Sequence, residues 1–188
     1  THSLKKPNWA EKQFPVELTK QQIEESPGID SDKPVSRQHQ TDIHNYFGWP
    51  VYWTMGLEPA PVPDYTENAD SGDRATTNDS NLRSVREVEG YHIAASDGEI
   101  GHVDDFIIED DTWVIRYLVV DTKNWLPGRK VLISPDWIES VNHAEHNVHV
   151  GLVRDAVKNS PEYDPYQVLD REYETELFDH YGRPRYWV

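Results

Sequence analysis

Two ten-residue phrases, HNYFGWPVYW at 44–53 and FDHYGRPRYW at 178–187, stand 134 positions apart. An internal repeat constrains a fold more than any local propensity, because both copies must build the same supersecondary unit. Sliding the chain by 134 positions lays ELTKQQIEESPGID on GLVRDAVKNSPEYD. Ser26 and Pro27 then meet Ser160 and Pro161, Asp30 meets Asp164, and Arg37 meets Arg171. Gly48, Pro50, Tyr52 and Trp53 meet Gly182, Pro184, Tyr186 and Trp187, with no gap from about residue 8 to residue 53.

The second copy begins near Leu82, so the offset puts the start of the first about 52 positions ahead of Thr1. The expectation is a first copy without its front half. Either the chain is a fragment, or another polypeptide supplies the rest. Residues 1–53 are then the back half of a first repeat, a last strand plus tail helices. Residues 54–81 form a Pro-rich then acidic linker, with Pro59, Pro61 and Pro63 stiffening its start. Residues 82–188 form a complete repeat with a helical tail.

Local signals place the elements. In copy one, residues 8–18 read as a strand region carrying Trp9, Phe14, Val16 and Leu18. A short helix over 19–25 stops before Ser26-Pro27, because the residue before a proline avoids the helical region. Ser36 caps a second helix with Ile43 and Phe47 on one face, and Gly48 closes it. In copy two, Asp170 caps, Tyr173, Leu177 and Tyr181 form the stripe, and Gly182 closes.

Ahead of that tail, residues 90–95, 100–108 and 113–121, then KVLIS, WIESVN and NVHVGL, read as six short strands. Asp97-Gly98 supplies a type I′ hairpin turn. The continuous apolar run WVIRYLVVD is the pattern of a strand buried on both faces. Short strands with tight turns predict a small closed barrel, an arrangement without sheet edges. The fold class expected is mainly β: about six short strands, then two short helices, with a second, truncated copy.

Charge narrows function. Asp and Glu number 34 against 18 Lys and Arg, a formal net charge of −16. That field repels a phosphate backbone, so nucleic acid is not an expected partner. The chain has no cysteine, which removes disulfides, zinc thiolates and thiol nucleophiles. No apolar run approaches a membrane span and no signal peptide is visible, so the expectation is a cytoplasmic location without membrane insertion.

The residues of 82–135 carry a resemblance. The Gly90-Tyr91 strand start, the Asp97-Gly98-Glu99-Ile100-Gly101 turn, the 113–121 strand and Trp125-Leu126-Pro127-Gly128 before Val131-Leu132-Ile133 resemble a PRC-barrel domain. The whole chain is similar to bacterial proteins with two such barrels, each followed by the Ser-Pro, Asp and Tyr-Gly-x-Pro-x-Tyr-Trp tail. The resemblance implies a small β-barrel of interaction type. One branch is the cytoplasmic domain of the H subunit of photosynthetic reaction centres, which influences proton uptake and quinone electron transfer. Another is the C-terminal domain of a ribosome maturation factor, which binds a ribosomal protein.

Candidate sites follow. His143, His146 and His149, in HAEHNVH, have a spacing that suits Zn²⁺ or Ni²⁺. Copy one has Trp9, Lys12 and Pro15 there, so the expectation is incidental histidines, no metal and no cofactor. Asp104, Asp105, Glu109, Asp110 and Asp111 could hold Ca²⁺, but no Gly-centred loop of alternating oxygen ligands is present. Glu99, Asp104 and Glu109 are proton-uptake carboxylates only by analogy with the photosynthetic branch. No nucleophile elbow or phosphate loop is present. Interaction candidates are the aromatics: Trp125 with Leu126 and Pro127, Tyr186 with Trp187, and Tyr52 with Trp53. The expected function is a non-enzymatic interaction or assembly module, with regulation of photosynthetic or other membrane electron transfer as the alternative and a metal-dependent enzyme using His143, His146 and His149 as a weaker one. The expected partners are a second copy, a bound N-terminal fragment or another protein.

Overall fold

The computed structural model describes residues 3–28, 35–52, 82–122 and 129–187. They divide into two units, 1–84 and 85–188.

In unit 1, Leu4 bridges Val16 and Asn8 bridges Gln13, both antiparallel. The two arms make a hairpin held by single bridges, where a strand region had been expected. Lys12, at its tip, takes φ +53°. Helix α1 (Lys20–Glu24) begins at a capping box: Thr19 accepts from the Gln22 amide, and the Gln22 side chain returns the bond to the Thr19 amide. Helix α2 (Arg37–Phe47) is capped by Ser36, which accepts from the His39 amide, and stops at Gly48 with φ +67°.

Unit 2 opens with a single helical turn, α3 (Val85–Val88), ended by Gly90 at φ +85°. Six strands follow: β1 (His92–Ala95), β2 (Gly98–Ile108), β3 (Ile115–Asp121), β4 (Lys130–Ile133), β5 (Ile138–Asn142) and β6 (Asn147–Val150). They form one mixed sheet in the order β4-β3-β2-β1-β6-β5. All described pairings are antiparallel except β1 with β6, where Ile93 lies opposite Val148.

The sheet is not closed, which corrects the barrel expectation: β4 and β5 are its two ends. Ser134-Pro135 explains this. After β4 the Ser134 hydroxyl accepts from the Asp136 amide, and Pro135-Asp136-Trp137 makes a 3₁₀ turn. The connection between the two edge strands is therefore this turn, with Trp137 95% removed from solvent against the core.

Two further differences are local. The β1–β2 hairpin forms, but its turn is not type I′, which needs positive φ at both central residues. Only Gly98 takes one, at +143°, and the register slips between Ile93 and Ala94. Asp97 instead accepts from the Arg154 amide at 2.8 Å, tying the turn to the next helix. The third strand begins at Ile115, because Trp113 sits in a turn at φ +61°. Within it, Tyr117, Leu118, Val119 and Val120 are all buried, as a strand covered on both faces requires.

Helices α4 (Arg154–Lys158) and α5 (Arg171–His180) complete the unit. The Asp170 carboxylate accepts from the Tyr173 amide at 2.9 Å, and Gly182 follows at φ +58°. Leu177 and Phe178 on α5 and Val157 on α4 are fully buried in the same core as Ile93, Val120 and Leu132. Each such side chain stabilises the fold by about 1.5–3 kcal/mol.

Candidate functional site

The chemistry-bearing residues gather where α5 and the C-terminal tail lie on β3. Tyr117 and Tyr186 both donate to Glu174 Oε1, each at 2.7 Å. The other carboxylate oxygen pairs with Arg171 Nη1 at 2.8 Å. Glu174 is buried, so this charge is stable there only because three donors replace its water. Arg116 lies 4.1 Å over the Tyr186 ring, and Arg171 lies 4.3 Å over the Trp187 ring. Phe178 meets Trp187 edge-on at 5.2 Å. Tyr186 and Trp187 thus pack on the core of their own unit. Glu174, Tyr117 and Arg116 went unnoticed in the sequence. The signal was a glutamate inside the apolar stripe of α5, three residues after an arginine.

Burial pushes the Tyr117, Tyr173 and Tyr181 phenols upward, Tyr181 to about 12, and Glu174 adds to the shift at Tyr117. The consequence for stability is alkaline. Below about pH 10 native and unfolded phenols are both protonated, so the contribution is complete. Above it the unfolded chain releases protons that the native state keeps, and stability falls as pH rises. The melting temperature of unit 2 is expected to drop steadily from about pH 10 upward, with phenolate absorbance appearing together with unfolding. A flat melting temperature to pH 11.5 would count against this packing.

The three histidines are not brought together as ligands. His143 Nδ1 is 3.4 Å from the Tyr91 hydroxyl, and the His146 ring lies 4.9 Å from the Tyr91 ring. His146 has φ +51°, and its carbonyl accepts from the His92 amide at 2.8 Å. His149 lies on β6, opposite Ala94. Among the described residues the group whose ligand atoms come within 4.8 Å of one another is His102, Asp104 and Asp121, on β2 and β3. Lys130 already pairs with Asp104 at 2.5 Å, and that bond raises the ammonium's pKa, so a cation there would compete with a resident positive charge.

The acidic candidates are individually engaged. Glu109 accepts from Thr112 and, at 2.7 Å, from Arg116, which together hold its carboxyl below the usual range. Glu99 meets His92 Nδ1 at 2.6 Å. Asp110 and Asp111 lie in the β2–β3 turn with Trp113, and Asp105 accepts from the Phe106 amide at 2.7 Å. Trp53, Trp125, Leu126 and Pro127 lie outside the described residues. Tyr52 donates to Gln40 Oε1 at 2.8 Å. No described helix is long and apolar enough to cross a membrane.

The family model of the PRC-barrel domain matches residues 81–157. This segment is a PRC-barrel domain. No curated protein matches the chain. The PRC-barrel match takes in α3, the six described strands and α4 up to Val157. Helix α5 and the Tyr186-Trp187 tail lie beyond it, joined to the PRC sheet through the Tyr117–Glu174 bond.

Proposed function

We propose that the protein is a non-enzymatic interaction and assembly module built from two PRC-type copies, of which residues 1–53 are the back half of the first. The 134-residue offset, applied to the geometry, supports the second copy. The bridges Leu4↔Val16 and Asn8↔Gln13 fall on the pairs Ile138↔Val150 and Asn142↔Asn147. Lys12 at φ +53° falls on His146 at +51°, and Gly48 at +67° on Gly182 at +58°. Helix α1 falls on α4 residue for residue, and the Tyr52–Gln40 bond falls on Tyr186–Glu174.

The observation that carries the assembly reading is exposure. Phe14, Val16 and Ile23 of unit 1 are 49%, 38% and 49% exposed, whereas Val148, Val150 and Val157 at the same positions of unit 2 are at most 1% exposed. These apolar positions of unit 1 stay exposed among the described residues where unit 2 buries their counterparts, and an apolar face of this kind suits contact with another polypeptide.

Sedimentation of the full chain at rising concentration, alone and with candidate protein partners, tests this. The expected result is a complex that Val16→Asp weakens at least about tenfold, since a buried carboxylate without a partner is costly. A chain that stays monomeric, captures nothing and behaves like its Val16→Asp variant would overturn the proposal.

A further inference from the structure

Burying a carboxylate at Glu174 is more than holding the C-terminal tail requires. In unit 1 Tyr52 donates to Gln40 at 2.8 Å, so a neutral amide oxygen is enough to hold a tail tyrosine. Unit 2 uses a carboxylate in the same kind of bond, at 6% exposure, and a buried charge costs more than a buried amide. What the carboxylate adds is the capacity to take a proton. Two phenols are placed to give one. Tyr117 and Tyr186 each donate to Oε1 at 2.7 Å, within the reach of proton transfer. Arg171 holds the other carboxylate oxygen at 2.8 Å and so fixes the group's orientation.

The two phenols differ in their surroundings. Tyr117 is fully buried, so a radical formed on it is out of reach of dissolved reactants. Tyr186 is half-buried and reaches the surface. Arg116 lies 4.1 Å over its ring, and Arg171 lies 4.3 Å over the ring of Trp187. A cation held on a ring face opposes the loss of an electron from that ring. An oxidising equivalent that enters at Tyr186 therefore settles on Tyr117.

We propose that Tyr117, Glu174 and Tyr186 form a one-electron redox site, in which Tyr117 gives its electron to an outer-sphere oxidant at the surface and its proton to Glu174. The step balances within the cluster. The oxidant gains one electron, the Tyr117 O–H bond breaks, and its proton forms a new O–H bond at Glu174 Oε1. The products are a neutral tyrosyl radical, a neutral carboxylic acid and the reduced oxidant. A one-electron reductant reverses the step, and the proton returns to the phenolic oxygen. One carboxylate oxygen serves both phenols, so the cluster holds one radical at a time. This activity is independent of the assembly reading above.

The experiment oxidises the full chain with flash-generated ruthenium(III) tris-bipyridine and follows tyrosyl radicals by transient absorbance and electron paramagnetic resonance. The expected result is a persistent radical, at most one per chain. Tyr117→Phe should shorten its lifetime at least about tenfold, because exposed tyrosines such as Tyr166 then carry the oxidation. Glu174→Gln keeps a hydrogen-bond acceptor but cannot take the proton, so it should stay folded and lose the persistent radical. A radical as long-lived in Tyr117→Phe or in folded Glu174→Gln as in the parent chain would overturn the proposal, as would a parent chain that forms no persistent radical.

Discussion

Gly101→Ala is expected to bring unit 2 close to unfolding. Gly101 lies on β2 opposite Ile93 at φ +149°, where side chains other than glycine are strained. A Cβ there would sit 2.2 Å from the Asp121 carbonyl oxygen and 3.1 Å from the Thr122 Cα, backbone atoms at the end of β3 and just beyond it. Neither can rotate away, so the β2–β3 ladder itself must move. The expected loss is roughly 4 kcal/mol, about 20 °C in melting temperature for a unit of this size. Gly90→Ala is the control. Gly90 also has positive φ, at +85°, but an added Cβ meets nothing within 4 Å, so only backbone strain of about 1 kcal/mol is expected. Equal losses at the two positions in thermal melts would refute the steric account.

Glu174→Ala is expected to cost about 3 kcal/mol and to release the C-terminal tail. Its removal leaves the fully buried Tyr117 hydroxyl without the carboxylate it donates to, and leaves Arg171 and Tyr186 without their common anchor. Glu174→Gln keeps an acceptor oxygen and should cost only about 1 kcal/mol. Unit 1 already uses that solution, since Gln40 holds Tyr52 at 2.8 Å. The discriminating measurement is a double-mutant cycle. In a Tyr117→Phe background the Glu174→Ala loss should shrink by at least about 1 kcal/mol, because the orphaned donor is gone. An unchanged loss would mean that Glu174 acts through helix packing alone. Trp187 fluorescence should shift to longer wavelength in Glu174→Ala and stay put in Glu174→Gln.

Why some of this was legible in the sequence and some was not follows from range. Caps are local, so Ser36, Asp170, Gly48 and Gly182 announced the helix ends that the structure has, whereas Thr19, read as the first helical residue, is an N-cap. The clearest strands were visible because they run apolar or alternate over their own length, as β3 and β6 do. Closure was not legible: it depends on whether β4 and β5 meet, and the Pro135 turn between them decides that through geometry rather than pattern. The type I′ expectation failed for a similar reason, since a contact from Arg154, distant in sequence, holds Asp97. Nor could periodicity reveal Glu174's role, because two of its three donors, Tyr117 and Tyr186, come from β3 and from the C-terminal tail. Three histidines spaced by three residues offered a candidate ligand set, yet His143 and His146 both lie against Tyr91 while His149 stands on β6 opposite Ala94.

The central proposal is that unit 1 repeats the β5–β6 hairpin and tail helices of unit 2, with the apolar positions that unit 2 buries left exposed. Amide hydrogen exchange on the monomeric full chain tests it most directly. The account predicts that amides of residues 3–17 and of α2 exchange orders of magnitude faster than those of β2 and β3, whose opening requires global unfolding of unit 2. Protection of unit 1 equal to that of unit 2, in a chain verified as monomeric, would contradict it.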